Sequence, residues 1–337
     1  MNTQWFLKTE GDALARVRAF LGALWQSASL RGMIVPVFSG GERAPRVELL
    51  TDARRLTQAD PFAPLMLTNG ARDLAERGRA GLQGPLGAVL RPCEIRALAE
   101  VARRRSVPLE SFLLVGVDCL ATFAPEVYER RVRDVGSPEE LTREALLFAR
   151  QGGILLYRNR PACQRCGAPL PAAVDLCLGL HGLTAGEAIL VTARDEPTCR
   201  RLRLESITDG HAPPELIAQH ERMAAALAAR RGRTRARMEA DLGGLPANVD
   251  ELIAHLRACA PCRACLEACP IYDGELEAAD AKVVAAWLAS CAGCGMCEQA
   301  CPSHLALPAL IDRIRRDLPG LSGPSNSASV ETHSCWL

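Results

Sequence analysis

Two copies of one cysteine spacing near the C-terminus constrain this chain more than any other feature: Cys259-x2-Cys262-x2-Cys265-x3-Cys269-Pro270 and Cys291-x2-Cys294-x2-Cys297-x3-Cys301-Pro302. In runs of this kind three thiolates take three corners of a 4Fe-4S cube, and the fourth cysteine ligates the other cube. The spacing therefore predicts one cluster on Cys259, Cys262, Cys265 and Cys301 and a second on Cys291, Cys294, Cys297 and Cys269. The chemistry it implies is electron transfer.

Structural zinc and disulfides are the alternatives. Zinc sites use paired Cys-x2-Cys units or mix in histidine, and they require neither a third cysteine three residues on nor a proline after the fourth. Disulfide frameworks suit short secreted chains. The start of this chain, MNTQWFLKTEGD, lacks the basic and apolar regions of a signal peptide, and its fifteen cysteines are expected in a reducing compartment, by default the cytoplasm.

The 337 residues are 48% hydrophobic and 23% charged, an ordinary soluble composition with room for two domains or so. The apolar stretch Phe112 to Val117 stops at Asp118, too short to span a bilayer. With a net charge of +1 and 4% aromatic residues, the chain lacks the one-signed field and the stacking platforms of a nucleic-acid binder. No Gly-x4-Gly-Lys-[Ser/Thr] loop, Gly-x-Ser-x-Gly elbow or HExxH pair supports hydrolytic chemistry.

Residues 1–212 alternate helical and strand-like runs. A helix is expected from about Asp12 to Ser27 and strands at Met33 to Phe38 and Leu86 to Leu90. A helix opened by Pro92 ends in Arg103-Arg104-Arg105, followed by a strand at Ser111 to Val117, a helix start at Pro138, and strands at Ile154 to Tyr157 and Ala188 to Ala193. This pattern predicts an α/β domain with a largely parallel sheet. Residues 213–245, rich in Ala, Arg and Glu, read as a solvated helical linker. The run Arg230 to Arg237 lacks the interleaved aromatics of a nucleic-acid patch, so an exposed helix is expected, with a partner surface as an alternative. Residues 246–318 read as a two-cluster 4Fe-4S ferredoxin domain of α-helical type. Asn248 caps a helix that delivers Cys259, Ala278 to Leu288 forms a helix that delivers Cys291, and Pro308 opens a last one. The Ser-, Gly- and Pro-rich tail 319–337 is expected to be disordered, and Cys335 carries no role.

Four more cysteines fall where a further centre could form. Cys93 follows a strand directly at a helix N-terminus, where the helix dipole favours a thiolate. Cys119 follows the next strand in the equivalent place, and loops beyond the carboxyl ends of parallel strands line a ligand crevice. Cys163 and Cys166 form a Cys-x2-Cys pair in a later loop. Spacing leaves open a third cluster, a zinc site on the same four, or two buried thiols beside an unrelated pair. Cys177 and Cys199 read as packed thiols. His181, His211, His220, His255 and His304 are scattered without ligand spacing.

The strings Gly87-Ala-Val-Leu-Arg-Pro-Cys93-Glu-Ile-Arg-Ala-Leu98, Val115-Gly-Val-Asp-Cys119, and Cys163-Gln-Arg-Cys166 with Pro169 and Ala173-Val-Asp175 resemble the beta-subunit family of coenzyme F-420-linked hydrogenases and formate dehydrogenases. The resemblance runs from about residue 30 to 200. With the appended cysteine pair it is greatest to the formate dehydrogenase beta subunit. It implies an α/β domain holding a 4Fe-4S cluster on Cys93, Cys119, Cys163 and Cys166 and, in most members, FAD. It also implies electron exchange with a deazaflavin coenzyme or a heterodisulfide-reductase-type partner.

FAD-binding members share a glycine- and threonine-rich turn near the N-terminus, whose amides approach the phosphates. Here the corresponding stretch is Lys8-Thr9-Glu10-Gly11-Asp12, with one glycine and two carboxylates, and Ser39-Gly40-Gly41 reads as an ordinary turn. The expectation is thus a non-catalytic, cytoplasmic electron-transfer subunit with two 4Fe-4S clusters and a third. It would relay electrons between a formate dehydrogenase or hydrogenase catalytic subunit and a flavoprotein or heterodisulfide-reductase-like subunit. The alternative is an FAD-dependent subunit that itself reduces or oxidises a deazaflavin carrier.

Overall fold

The apolar runs of the first part assemble into one seven-stranded sheet. In the computed structural model, residues 3–38, 43–79, 84–154, 158–240, 246, 248–259, 262–272 and 281–317 are described. The strands are β1 (Gln4–Lys8), β2 (Gly32–Val37), β3 (Arg46–Leu50), β4 (Leu86–Leu90), β5 (Phe112–Val117), β6 (Leu176–Gly179) and β7 (Ala188–Ala193), in spatial order β1-β7-β6-β5-β4-β2-β3. The centre, β2, β4, β5 and β6, is parallel. Both flanks are antiparallel: β2 with β3, β6 with β7, and β7 with β1.

The sheet is therefore mixed, a correction to the largely parallel one expected. Short connections account for two of the antiparallel pairs, because a parallel pair needs a crossover of a dozen or more residues and 38–45 and 180–187 are shorter than that. The strands that sequence reading passed over are two edge strands carrying charge, QWFLK and RVELL, and the brief LCLG of β6. The pair Cys177 and Cys199 is packed in the core, as read.

Helices cover both faces. Helix α1 (Ala13–Ser27) is capped by Asp12, whose Oδ1 accepts the Ala15 amide at 3.0 Å. It buries Leu14, Val17, Phe20, Leu21 and Leu24 against one face. Helices α2 (Gly70–Arg79) and α3 (Pro92–Arg105) cover the other, while α4 (Pro125–Val135) and α5 (Pro138–Leu147) lie beyond β5 in sequence. After the short helices α6 (Pro161–Gln164), α7 (Glu196–Leu202) and α8 (Leu204–Ile207) comes the long α9 (Pro214–Ala240). The C-terminal region is wholly helical where described: α10 (Val249–Cys259), α11 (Ala264–Glu267), α12 (Ala281–Ala289), α13 (Met296–Ala300) and α14 (Leu307–Asp317). The expected strand over Leu155 to Tyr157, the Ser39-Gly40-Gly41 turn, the start of the helix expected from Ala278, and the 319–337 tail lie outside the described residues.

Two features place the C-terminal helices on the sheet. Ile95, Leu98 and Val101 of α3 share one apolar cluster with Leu252, Val284, Trp287, Leu288, Ile311 and Ile314. Each such side chain contributes on the order of 1.5–3 kcal/mol when buried. Arginines then pin the seam: Arg104 donates to Ser290 Oγ at 2.6 Å and the Ala286 carbonyl at 3.1 Å, and Arg72 donates to the carbonyls of Glu267 and Cys269 at 3.0 and 2.8 Å. Helix α9 is not solvated throughout, contrary to the reading of 213–245. Leu227 is fully buried and Arg231 is 2% exposed, while Arg230 and Arg235 reach the carbonyls of Gln151 and Arg165. Among the described residues no helix is long and apolar enough to cross a membrane.

Candidate metal centres

Strand ends and helix starts bring the four scattered cysteines together. Cys93 lies in the first turn of α3 just past β4. Arg91 precedes that helix, its amide donating to Glu94 Oε2 at 2.9 Å. Cys119 follows β5 and is held by its amide bond to the Pro169 carbonyl at 3.0 Å. Cys163 sits in α6 and Cys166 just beyond it. All four line one cavity, together with Arg91, Thr122, Arg160, Ala162 and Arg231, and with Cys294 from the C-terminal region.

Burial dominates the electrostatics of these thiols. It pushes Cys93 well above its ordinary pKa, with neighbouring Cys119 adding to the effect. The helix dipole expected to favour a Cys93 thiolate is thus outweighed by desolvation. Cys119 is raised to about 11, again chiefly by burial. Cys163 departs downward. Burial opposes its thiolate, but the Arg160 guanidinium and hydrogen bonds from Thr122 Oγ1 and Arg160 Nε, both at 3.4 Å, outweigh that penalty.

Arg160 and Arg231 are 5% and 2% exposed, and among the described residues neither forms an ion pair with a carboxylate. A buried guanidinium without a counter-charge costs several kcal/mol. The cavity is therefore built for a net-negative occupant, which a four-thiolate centre provides. No sequence reading identified these arginines as lining a site, although a signal exists for Arg160: an Arg-Pro step precedes the cysteine in Arg160-Pro161-Ala162-Cys163, as it does in Arg91-Pro92-Cys93. In each case the arginine is the residue before the first helical turn.

A second cavity is lined by Cys269, Cys291, Cys294 and Cys297, with Pro270, Ile271, Trp287, Pro308 and Ile311. Cys269 lies on this cavity beside three cysteines of the second run. Burial raises Cys291 to about 12 and lifts Cys294 and Cys297 as well. The Gly293 amide donates to Cys291 Sγ at 3.4 Å. In the remaining set, Cys265 is raised first by burial and then by nearby Cys301 and Cys259, and the Leu305 amide donates to Cys301 Sγ at 3.5 Å. Cys262 is exposed.

Cys294 lines both cavities, so the two share a wall. At that wall Gly295 takes a φ of +72°, and a Cβ there would overlap the Cβ of Ala162. Arg160 spans the same wall, donating to the Cys294 carbonyl at 2.8 Å and to Gln299 Oε1 at 3.2 Å.

Among the described residues no three His, Cys, Asp or Glu side chains converge on a point suited to a single ion. A tetrahedral zinc, with Zn–S of about 2.3 Å, would draw its sulfurs to within roughly 3.8 Å of one another.

Two histidines dismissed on spacing meet below the first cavity. Asp118 Oδ2 accepts the amides of Leu180 and His181 at 2.8 and 3.0 Å and pairs with His220 Nε2 at 2.8 Å. It thereby ties β5, the end of β6 and α9 beside Cys119. Despite burial, the two histidines and these hydrogen bonds hold Asp118 down at about 2, while burial depresses His181 to about 4.

The N-terminal turn does not fit a dinucleotide phosphate. The Asp12 carboxylate already occupies the start of α1 and pairs with Arg143 at 3.2 Å.

Residues 251–302 match the family model of the 4Fe-4S dicluster domain. The chain is 25% identical over 118 residues to the F420-dependent formate dehydrogenase 1 subunit beta of Methanococcus maripaludis, across 29% of this chain and 30% of that relative. The match thus spans less than a third of the relative's length. A chain of the F420-reducing [NiFe] hydrogenase complex from Methanosarcina barkeri superposes with a TM-score of 0.49 at 14% identity, over 71% of this chain and 92% of that one. The C-terminal region is accordingly a 4Fe-4S dicluster module, carried on a chain distantly similar to a formate dehydrogenase beta subunit.

Proposed function

We propose that this chain is an iron–sulfur electron-transfer subunit of a cytoplasmic oxidoreductase complex. Its ligand sets are Cys259, Cys262, Cys265 and Cys301; Cys291, Cys294, Cys297 and Cys269; and Cys93, Cys119, Cys163 and Cys166. The first two belong to the module of residues 246–318, and the third to the sheet domain of residues 1–212, with the 213–245 helix between them. A 4Fe-4S group in each set supplies one-electron exchange. The side chains contribute position, exclusion of water and fixed charge.

The observation that carries this reading is the shared wall: Cys294 faces both cavities, so centres held in them stand next to each other with no intervening layer. The exposure of Cys262 supports the Cys259 set as the end nearest solvent and a partner. The similarity to a formate dehydrogenase beta subunit supports a formate dehydrogenase or hydrogenase catalytic subunit on one side. On the other side stands a flavoprotein or heterodisulfide-reductase-type subunit. The occupied helix start at Asp12 weighs against an FAD-bearing version of the same chain.

Anaerobic metal analysis tests the reading. About twelve irons per chain and no zinc is expected, about eight would leave only the C-terminal pair, and a zinc-rich, colourless protein would end it. Co-purification from the native host, followed by identification of the attached subunit, tests the assignment of partners.

A further inference from the structure

Resting on the reading of Cys93, Cys119, Cys163 and Cys166 as a cluster cradle, we infer that Arg231 and Arg160 make this cradle the electron-accepting one of the two that share the wall, so that a centre held there is reduced before its neighbour on Cys269, Cys291, Cys294 and Cys297. Each electron added to a thiolate-ligated centre makes it more negative. A fixed positive charge beside it, in a dry and weakly polarisable surround, therefore favours the reduced form and raises its potential.

The two cradles differ in this respect. Arg231 comes from α9, is 2% exposed, and among the described residues makes a single long hydrogen bond, to the Cys166 carbonyl at 3.4 Å, with its Nε unpartnered. Arg160 donates directly to Cys163 Sγ at 3.4 Å. The third arginine in the lining, Arg91, is offset by Glu94 at 3.9 Å, whereas Arg160 and Arg231 have no carboxylate among the described residues. Arg96 stands between the cradles, beside Cys93 and Cys166 on one side and donating to the Ala292 carbonyl at 3.1 Å on the other.

Around the second cradle the lining beyond the four cysteines is Pro, Ile, Trp, Ala and Gly. That lining holds no charged side chain; arginines reach this cradle through backbone carbonyls, Arg315 at Cys291 (3.2 Å), Arg72 at Cys269 (2.8 Å) and Arg96 at Ala292 (3.1 Å), and Asp312 acts on Cys291 with the opposite sign. Arg160 also reaches the Cys294 carbonyl and so acts on both sides of the wall. Arg231 faces the first cradle alone, which makes it the sharper probe.

The test is an EPR-monitored reductive titration of the full-length protein purified anaerobically, with iron measured on every variant. Cys163→Ser assigns the signal of the first cradle by its loss. In the wild type that signal is expected to develop at a higher potential than the others. Arg231→Gln is expected to shift it to lower potential and leave the remaining signals in place, and Arg231→Lys to restore most of the shift. Should Arg231→Gln fail to load iron, Arg160→Gln is the second probe, expected to lower two signals together. About twelve irons with a first-cradle signal at or below its neighbour's potential, or unmoved in both variants, would overturn the ordering and leave the wire intact. About eight irons, with nothing lost in Cys163→Ser, would instead remove the third centre and the ordering with it.

Discussion

The cavity beside the sheet is lined by five cysteines and the cavity inside the C-terminal helices by four, with Cys294 common to both, yet they are built in opposite ways. The first is assembled from the ends of β4 and β5 and from α6, elements whose backbone is already committed to a seven-stranded sheet. The second hangs on α11 and α13, helices of one turn or so, which have no independent stability in water. The sheet positions its thiols whether or not they bind anything. The short α11 and α13 are expected to depend on what the thiols hold. Scaffold-supported and centre-supported sites can thus lie side by side in one chain, joined by Cys294.

The largest expected effect breaks that contrast directly. Cys269→Ser should remove about four of twelve irons and loosen the C-terminal helices, seen as faster amide hydrogen exchange in α10 to α14. Cys163→Ser should remove a similar amount of iron while exchange in β4 and β5 stays slow. Equal loosening of both regions would contradict the contrast.

The wall between the cavities gives the next effect. Gly295→Val places a branched side chain against Ala162 at a positive φ, and should lower stability by about 3 kcal/mol, read from thermal or denaturant unfolding. Ala162→Gly in the same chain should recover part of that loss. No recovery would mean that backbone strain, and not the contact, dominates.

The sheet side can be separated further by pH. Asp60 is fully buried, accepting the Thr142 hydroxyl at 2.6 Å and the Phe62 amide at 3.1 Å, and burial raises its pKa from 3.8 to about 6. The folded state therefore binds this proton more tightly than the unfolded state. Its contribution is present in full below about pH 4 and is lost as pH rises through 6. Asp60→Asn keeps the Phe62 amide bond through its Oδ1 and, with the Thr142 hydroxyl turned to accept from Nδ2, replaces the second bond in neutral form. It should flatten that slope and raise stability at pH 7 on the order of 1–3 kcal/mol, checked by denaturant unfolding across pH 4 to 7. An unchanged slope would rule out Asp60 as its source.

The smallest effect probes the seam. Arg104→Ala removes the bonds to Ser290 Oγ and the Ala286 carbonyl and should cost about 1 kcal/mol, confined to the C-terminal helices in hydrogen exchange.

Much of this was legible from residue order, and the part that was not has a common cause. The 4Fe-4S dicluster module followed from local cysteine spacing, and Asp12, Asn248, Pro92 and Pro138 announced their helices because capping acts within a turn. The antiparallel flanks escaped notice because β1 and β3 are half-exposed edge strands with charged residues. Arg231 escaped because, within its own helix, it looks like any member of a basic run. Its role depends on Cys166, 65 residues earlier in the chain.

Taken alone, the residue order determined that the C-terminal cysteines form two repeated runs of the 4Fe-4S dicluster type, since a cubic centre imposes its own short spacing on the chain that wraps it. The tertiary structure decided which charges surround them. A guanidinium acts through space on whatever the fold brings near, and nothing in the order of residues records that distance.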